Sequence, residues 1–190
     1  ELGIDVAFVP HFSLAVEPVT NLLLSASLHL PYQSDVDGQS ELQMWNYPYD
    51  EGQDSLSQVF SFTYGYEPMR AVLGGSWTDS LSGNVGYSLS AWARYARWSE
   101  YRNRHGERPR DGWHDTLSTN VGGTVEWRGQ TMGLEIGFVP TPVPQQSGMD
   151  NYSDSHRLTG GAGWQMPLIL GAQDFHIGIS AQVHSLLPRS

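Results

Sequence analysis

Cysteine is absent from the 190-residue chain, so it has neither a disulfide framework nor a thiolate metal site. Basic charge is scarce. Ten Lys and Arg residues stand against twenty Asp and Glu, a formal net charge of −10. Such a surface is a poor partner for nucleic acid. Long apolar runs are missing too: no stretch of about 18 apolar residues encodes a membrane-spanning helix. No charged n-region and apolar h-region lead the chain, so no signal peptide is visible. Glu1 opens inside a strand-like pattern, and the chain is expected to be part of a longer gene product. No glycine-rich phosphate loop occurs, and no Ser, His and Asp set has supporting context. The chain is therefore not read as an enzyme, and no cofactor is called for. The seven histidines are scattered; His176 and His184 lie eight residues apart, too far for a metal pair. The acidic run Asp150 to Asp154 lacks the spacing of a calcium loop.

What is present is glycine (21), aromatic side chains (7 Trp, 9 Tyr, 6 Phe) and a hydrophobic period of two. In "HDTLSTNVGGTVEW" (114–127), Leu117, Val121 and Val125 alternate with Thr116, Ser118, Asn120 and Glu126. The turn "RGQ" (128–130) follows. Met132, Leu134, Ile136 and Phe138 then alternate with Thr131, Gly133, Glu135 and Gly137. Such alternation marks a hairpin with one apolar and one polar or small face. The pattern recurs around Val85 to Trp98, Phe60 to Tyr66, Leu22 to Leu30 and Phe175 to Val183. It predicts about eight strands, near 4–17, 21–43, 56–78, 84–99, 115–127, 130–140, 155–166 and 173–187.

The connections alternate in length. Short ones fall at 18–21, 78–84, 128–130 and around Pro167; long polar ones fall at 44–55, 100–114 and 141–154. Short turns at one end and long loops at the other are the pattern of bacterial outer-membrane barrels. In lipid only a closed barrel leaves no strand edge unpaired. The expected fold is thus an all-β, antiparallel, up-and-down transmembrane barrel, with the apolar face turned to lipid. A soluble β-sandwich binding module also alternates and is the alternative. It fits less well with strands of about 10–16 residues, which suit a tilted bilayer span.

The segment "FVPTPVPQQSGMDNYSDSHRLTGGAGW" (138–164) fits this scheme. Pro140, Pro142 and Pro144 have no N–H for a ladder, so they end an ascending strand and stiffen the loop exit. The loop is expected to turn at Gly148 and to descend as "SHRLTGGAGW". This segment resembles the late extracellular loop and following strand of FadL-type outer-membrane transporters of long-chain fatty acids and other hydrophobic compounds. The family's Ser/Thr-Pro-Val-Pro stretch and Asp-X-Arg segment are matched by "PTPVP" and "DSHR" (154–157), the latter with His156 intervening. "YEPMRAVLGGSW" (66–77), "ARYARWSEY" (93–101) and "GWHDT" (112–116) are similar to further family segments in the same order. The resemblance covers roughly residues 56–165.

The resemblance implies a 14-stranded barrel with an N-terminal plug and a kinked wall strand, of which this chain would be the C-terminal half without the last strand. It implies passive uptake of hydrophobic molecules, with fatty acids the default cargo and aromatic hydrocarbons the variant. The implied setting is the bacterial outer membrane, with the bilayer and a hydrophobic small molecule as partners. Another outer-membrane barrel, such as a porin or lipid-modifying enzyme, is the nearest alternative. In the family a basic residue before the re-entering strand faces the ligand headgroup, and Arg108 and Arg110 lie nearest to that place. Trp92, Arg94 and Trp98 share one alternation and are the other candidate ligand contacts, on an inward face. A solvated arginine loop and packed or interface-anchoring tryptophans are the plainer readings. Trp45, Tyr47, Tyr49, Tyr95, Tyr101, Trp127 and Phe138 are expected in the aromatic girdles.

Overall fold

The computed structural model describes residues 2–4, 8–45, 53–103, 105–145, 154–170 and 173–187, with only the backbone considered at 2–4, 35–64, 82, 169–170 and 173–174. The loop tips 46–52 and 146–153, and with them Tyr47, Tyr49, Gly148 and most of the 150–154 acidic run, lie outside the described residues, as does the side chain of Trp45. Eleven strands are described: β1 (Leu2–Ile4), β2 (His11–Val19), β3 (Leu22–His29), β4 (Tyr32–Trp45), β5 (Gln53–Glu67), β6 (Arg70–Ser82), β7 (Val85–Ala96), β8 (Thr116–Trp127), β9 (Gln130–Val139), β10 (Arg157–Leu170) and β11 (Gln173–Leu186). A 3-10 turn spans Trp98–Glu100, and no α-helix occurs among the described residues.

Eight strands form one antiparallel sheet in the order β11-β10-β9-β8-β7-β6-β3-β2, and β1, β4 and β5 form a second. The larger sheet is open, with β2 and β11 as its edges rather than paired with each other. The expectation of eight strands is corrected here. The stretch 21–43 is interrupted at Leu30–Pro31, and 56–78 at Pro68–Met69. Proline supplies no donor, so each ring breaks the ladder where it falls. The pairing nevertheless resumes in the same register. His29 faces Arg70 before the break, and Tyr32 faces Glu67 after it. β3–β4 and β5–β6 thus run as two long paired arms with a proline joint, and a one-residue bulge at Ser34/Asp35 follows just beyond it. The first strand behaves alike: Ile4 pairs with Val36 and His11 with His29, the same offset on both sides.

Short turns gather at one end. Thr20–Asn21 joins β2 to β3, with Asn21 at φ 76°. Arg128–Gly129 joins β8 to β9 with φ 52° and 78°, the left-handed pair of a type I′ hairpin. The turn expected around Pro167 falls instead beyond Leu170. Pro167 pairs across to His176, while β9 has already turned away beyond the Thr131–Gln165 pair. One flank of β10 is therefore free of ladder partners, and a missing donor costs nothing there.

The register assigns every side chain to a face. Across the sheet, Phe12, Leu14, Val16, Leu24, Leu28, Leu73, Trp77, Leu89, Leu117, Val121, Val125, Met132, Leu134, Ile136, Leu158, Trp164, Ile177, Ile179 and Val183 stand on one side. The other carries mostly Ser, Thr, Gly, Asn, Gln and a few charges, with Leu23, Val72, Trp92 and Leu186 among them. The apolar side is the bare one: Leu134 is 71% exposed and Ile179 70%. Among the described residues the buried apolar side chains are Ala96 and Val143 alone, whereas Thr116 and Ser118 on the polar side are buried.

Candidate functional site

The site lies at the long-loop end of the polar face. Two connections fold over it there. The first runs from β7 to β8. Tyr101 stacks on Trp113 at 3.8 Å, and Trp98 and Tyr66 pack against the pair at 5.4 Å from Trp113 and Tyr101 respectively. Tyr101, expected in a girdle, thus belongs to this loop cluster. Asp115 ties the start of β8 back to β7: it accepts from the Tyr95 hydroxyl and from the Ser99 backbone N–H. Desolvation alone would push the Asp115 carboxyl up, but the bonds from Tyr95 and Ser99 and the nearby Arg97 hold it below the usual carboxylate range. Burial raises the Tyr66 phenol above its ordinary value, with Glu100 adding to the effect.

The second connection is the proline segment. β9 ends at Val139, directly before Pro140. Thr141 is the fastening point. Its hydroxyl donates to Asp154 at 2.6 Å and accepts from the Val143 N–H at 3.1 Å, while its own N–H donates to His156 at 3.2 Å. Pro142 accepts from the His114 N–H at 2.8 Å, joining the two connections. The "PTPVP" and "DSHR" segments therefore clamp each other, which gives a physical reason for their residue types.

Beneath this cover is a groove of about 410 Å³, with Ala96, Thr116 and Ser118 as floor and Tyr66 and Trp98 beside them. Arg70, Arg94 and Arg157 line it, with Glu67 and Asp154. Both acids are engaged: Glu67 pairs with Arg70 at 2.6 Å, and Asp154 receives the Thr141 hydroxyl. Arg94 and Arg157 have no acidic partner among the described residues. The Tyr66 hydroxyl and Arg70 Nε are buried without hydrogen-bond partners. The groove thus carries surplus positive charge and unused donors.

Of the expected contacts, the structure brings Arg94 and Trp98 together in the groove. Trp98 arrives there from the 3-10 turn, because β7 stops at Ala96 rather than near 99. Trp92 lies one row below, with the Arg94 guanidinium 5.8 Å from its ring centre. Arg108 and Arg110 are exposed and do not line the groove. The loop that holds them is organised by Asn103, whose side-chain oxygen accepts from the His105 and Glu107 N–H groups, and by Arg102, which donates to Gly106 O at 2.8 Å. Arg70 and Arg157 fall within the quoted 66–77 and 154–157 segments but were not expected as ligand contacts. They meet only because the successive β6–β7, β7–β8, β8–β9 and β9–β10 pairings bring distant segments to one end. No metal-binding group of three or more ligands occurs among the described residues.

No family model matches the chain, and neither a curated protein nor a solved structure does.

Proposed function

We propose that the chain is part of an outer-membrane β-barrel of the FadL type, admitting hydrophobic molecules with long-chain fatty acids as the usual cargo. The observation that carries the reading is the inverted burial of the large sheet. A soluble sandwich hides its apolar faces against each other. Here some twenty apolar side chains form one bare face across eight strands, and the polar face bears the covered groove. Lipid is the medium that makes such a face favourable, at roughly 1.5–3 kcal/mol for each large side chain withdrawn from water. On this reading the polar face lines the lumen, and the open edges pair with further strands of the wall.

The groove then receives the cargo's headgroup. The chain has ten arginines and no lysine, and a guanidinium binds a carboxylate through paired N–H bonds. Arg94 and Arg157 would take the carboxylate, and Trp98 and Tyr66 the first part of the chain. The test uses the full-length protein. It is expected in the outer-membrane fraction, with heat-modifiable migration on gels, and to bind a long-chain fatty acid. Arg94→Ala with Arg157→Ala should weaken that binding at least tenfold, while Arg108→Ala with Arg110→Ala should change it little. Recovery as a detergent-independent soluble protein would refute the membrane reading. Loss of affinity only in the 108/110 variant would return the headgroup to the loop.

A further inference from the structure

We infer that Glu135 is a specificity-determining residue, a charge filter that retards carboxylates below the arginine groove while neutral apolar molecules pass. The inference rests on the transport reading above.

Glu135 stands midway along β9 on the polar face. Its cross-strand row reads Ser90, Gly122, Glu135, Gly161 and Gln182. Glycine flanks it on both sides, and the space is used. A Cβ placed on Gly161 would lie 2.7 Å from Glu135 Oε1 and 2.8 Å from its Cγ. The carboxylate side chain is laid across the neighbouring strand in a seat that any other residue at 161 would fill. Glu135 is exposed, and no cation pairs with it among the described residues. It borders a shallow polar trough of about 270 Å³, lined by Ser88, Asn120, Thr124 and Ser180. A wall charge with no structural partner, held in a glycine seat, is positioned to act on what passes it.

Its place relative to the groove gives the filter its sense. Arg94 is four residues above Ser90 on β7, and Arg157 four above Gly161 on β10. Both counts put the backbone row of Glu135 about 13 Å below that of the arginines. The intervening row holds Trp92, Asn120, Gly137, Thr159 and His184, with neither a carboxylate nor a guanidinium. Glu126 repeats the negative sign nearer the turns, four residues beyond Gly122. A carboxylate leaving the arginines therefore loses attraction and meets repulsion on one continuous face. With a whole row between them and a Debye length of about 8–10 Å, Glu135 acts mainly on descent rather than on binding in the groove.

The experiment compares a long-chain carboxylate with its methyl ester, using full-length protein in liposomes. The wild type should admit the ester faster than the acid at equal occupancy. Glu135→Gln, which keeps shape and removes charge, should narrow the ester-to-acid ratio by on the order of tenfold. Glu135→Asp should retain the discrimination, and Glu135→Lys should reverse it. Equilibrium affinity for the acid should stay within about twofold in all three, since the groove is unchanged. An unaltered ratio in both the Gln and Lys variants overturns the filter while leaving transport standing. Equal loss of both cargoes in the Gln variant assigns Glu135 to wall structure and overturns it too. Absence of protein-dependent entry of either cargo in the wild type sinks the transport reading, and the filter with it.

Discussion

At the scale of single residues, local packing gives different expectations for two similar substitutions. A Cβ on Gly137, on the polar face, would lie 2.7 Å from Thr159 Oγ1 and 3.0 Å from Asn120 Nδ2. On the apolar face, a Cβ at Gly160 has nothing nearer than 4.0 Å. Gly137→Ala should therefore cost about 1–3 kcal/mol through overpacking, and Gly160→Ala should be close to neutral. Denaturant titration of the full-length protein in detergent compares them. Ile136 pairs with Val121 and Gly160 in mid-sheet and is 56% exposed. If lipid covers it, Ile136→Arg should destabilise by roughly 2–4 kcal/mol; normal assembly and stability of that variant would count against the membrane face. Asp115 provides a pH expectation. Its folded pKa lies below the unfolded value near 3.8, so its stabilisation is fully present above that value. It is lost as pH falls through the depressed folded value. Asp115→Asn should remove the acid sensitivity of the 97–115 connection below about pH 3.8, followed by Trp98 or Trp113 fluorescence.

Among elements, the Thr141 clamp is the clearest case. One hydroxyl serves Asp154 and the Val143 N–H together. Thr141→Val keeps the shape and loses both bonds, a cost of about 1–3 kcal/mol to the local closure. Faster proteolysis within 141–154, with unchanged unfolding of the sheet, would be the signature. Loss of the whole sheet's cooperativity would contradict a local role. The elements also show what sequence could convey. The faces of β8, β9 and β11 were legible because alternation is a local property with a period of two. The end of β9 before Pro140 was legible for the same reason, since proline acts on its own ladder position. The split of 22–82 at its two prolines was missed: the register carries through, so the alternation on either side reads as one run. The groove was only half legible. Arg94 and Trp98 share a segment, but Arg70 and Arg157 are 87 positions apart and meet through pairing alone. Arg108 and Arg110 were placed by the resemblance, yet a place in the order of segments does not aim a side chain.

For the molecule as a whole, the sheet's two edges dominate. β2 and β11 present unpaired ladders of nine and fourteen residues. A flat, exposed edge recruits other strands. The isolated chain should therefore associate even in detergent. Single cysteines placed on β2 and β11 should cross-link between molecules in the isolated chain; on the barrel reading proposed above, they should cross-link within one molecule of the longer protein. A monomeric isolated chain with no cross-links would require the edges to be closed in some other way.

The shared register across the proline joint bears on the order of events in folding. β3 and β6 are neighbours separated by forty residues of chain, which would ordinarily impose a large closure entropy on their pairing. β4 and β5 share the offset of β3 and β6 next to the joint and shift by one residue at Ser34/Asp35, so pairing that grows down β4–β5 through this bulge delivers β3 to β6 already aligned. Each step then closes only a few residues, a microsecond event rather than a long search. The remaining neighbours of the large sheet follow one another in sequence, so the whole surface can grow from local contacts. A proline that interrupts the ladder without shifting it leaves that route open. A one-residue insertion at Pro68–Met69 would need a second bulge like the one at Ser34/Asp35; without it, β6 would meet β3 a residue out of step, its side chains on the opposite face.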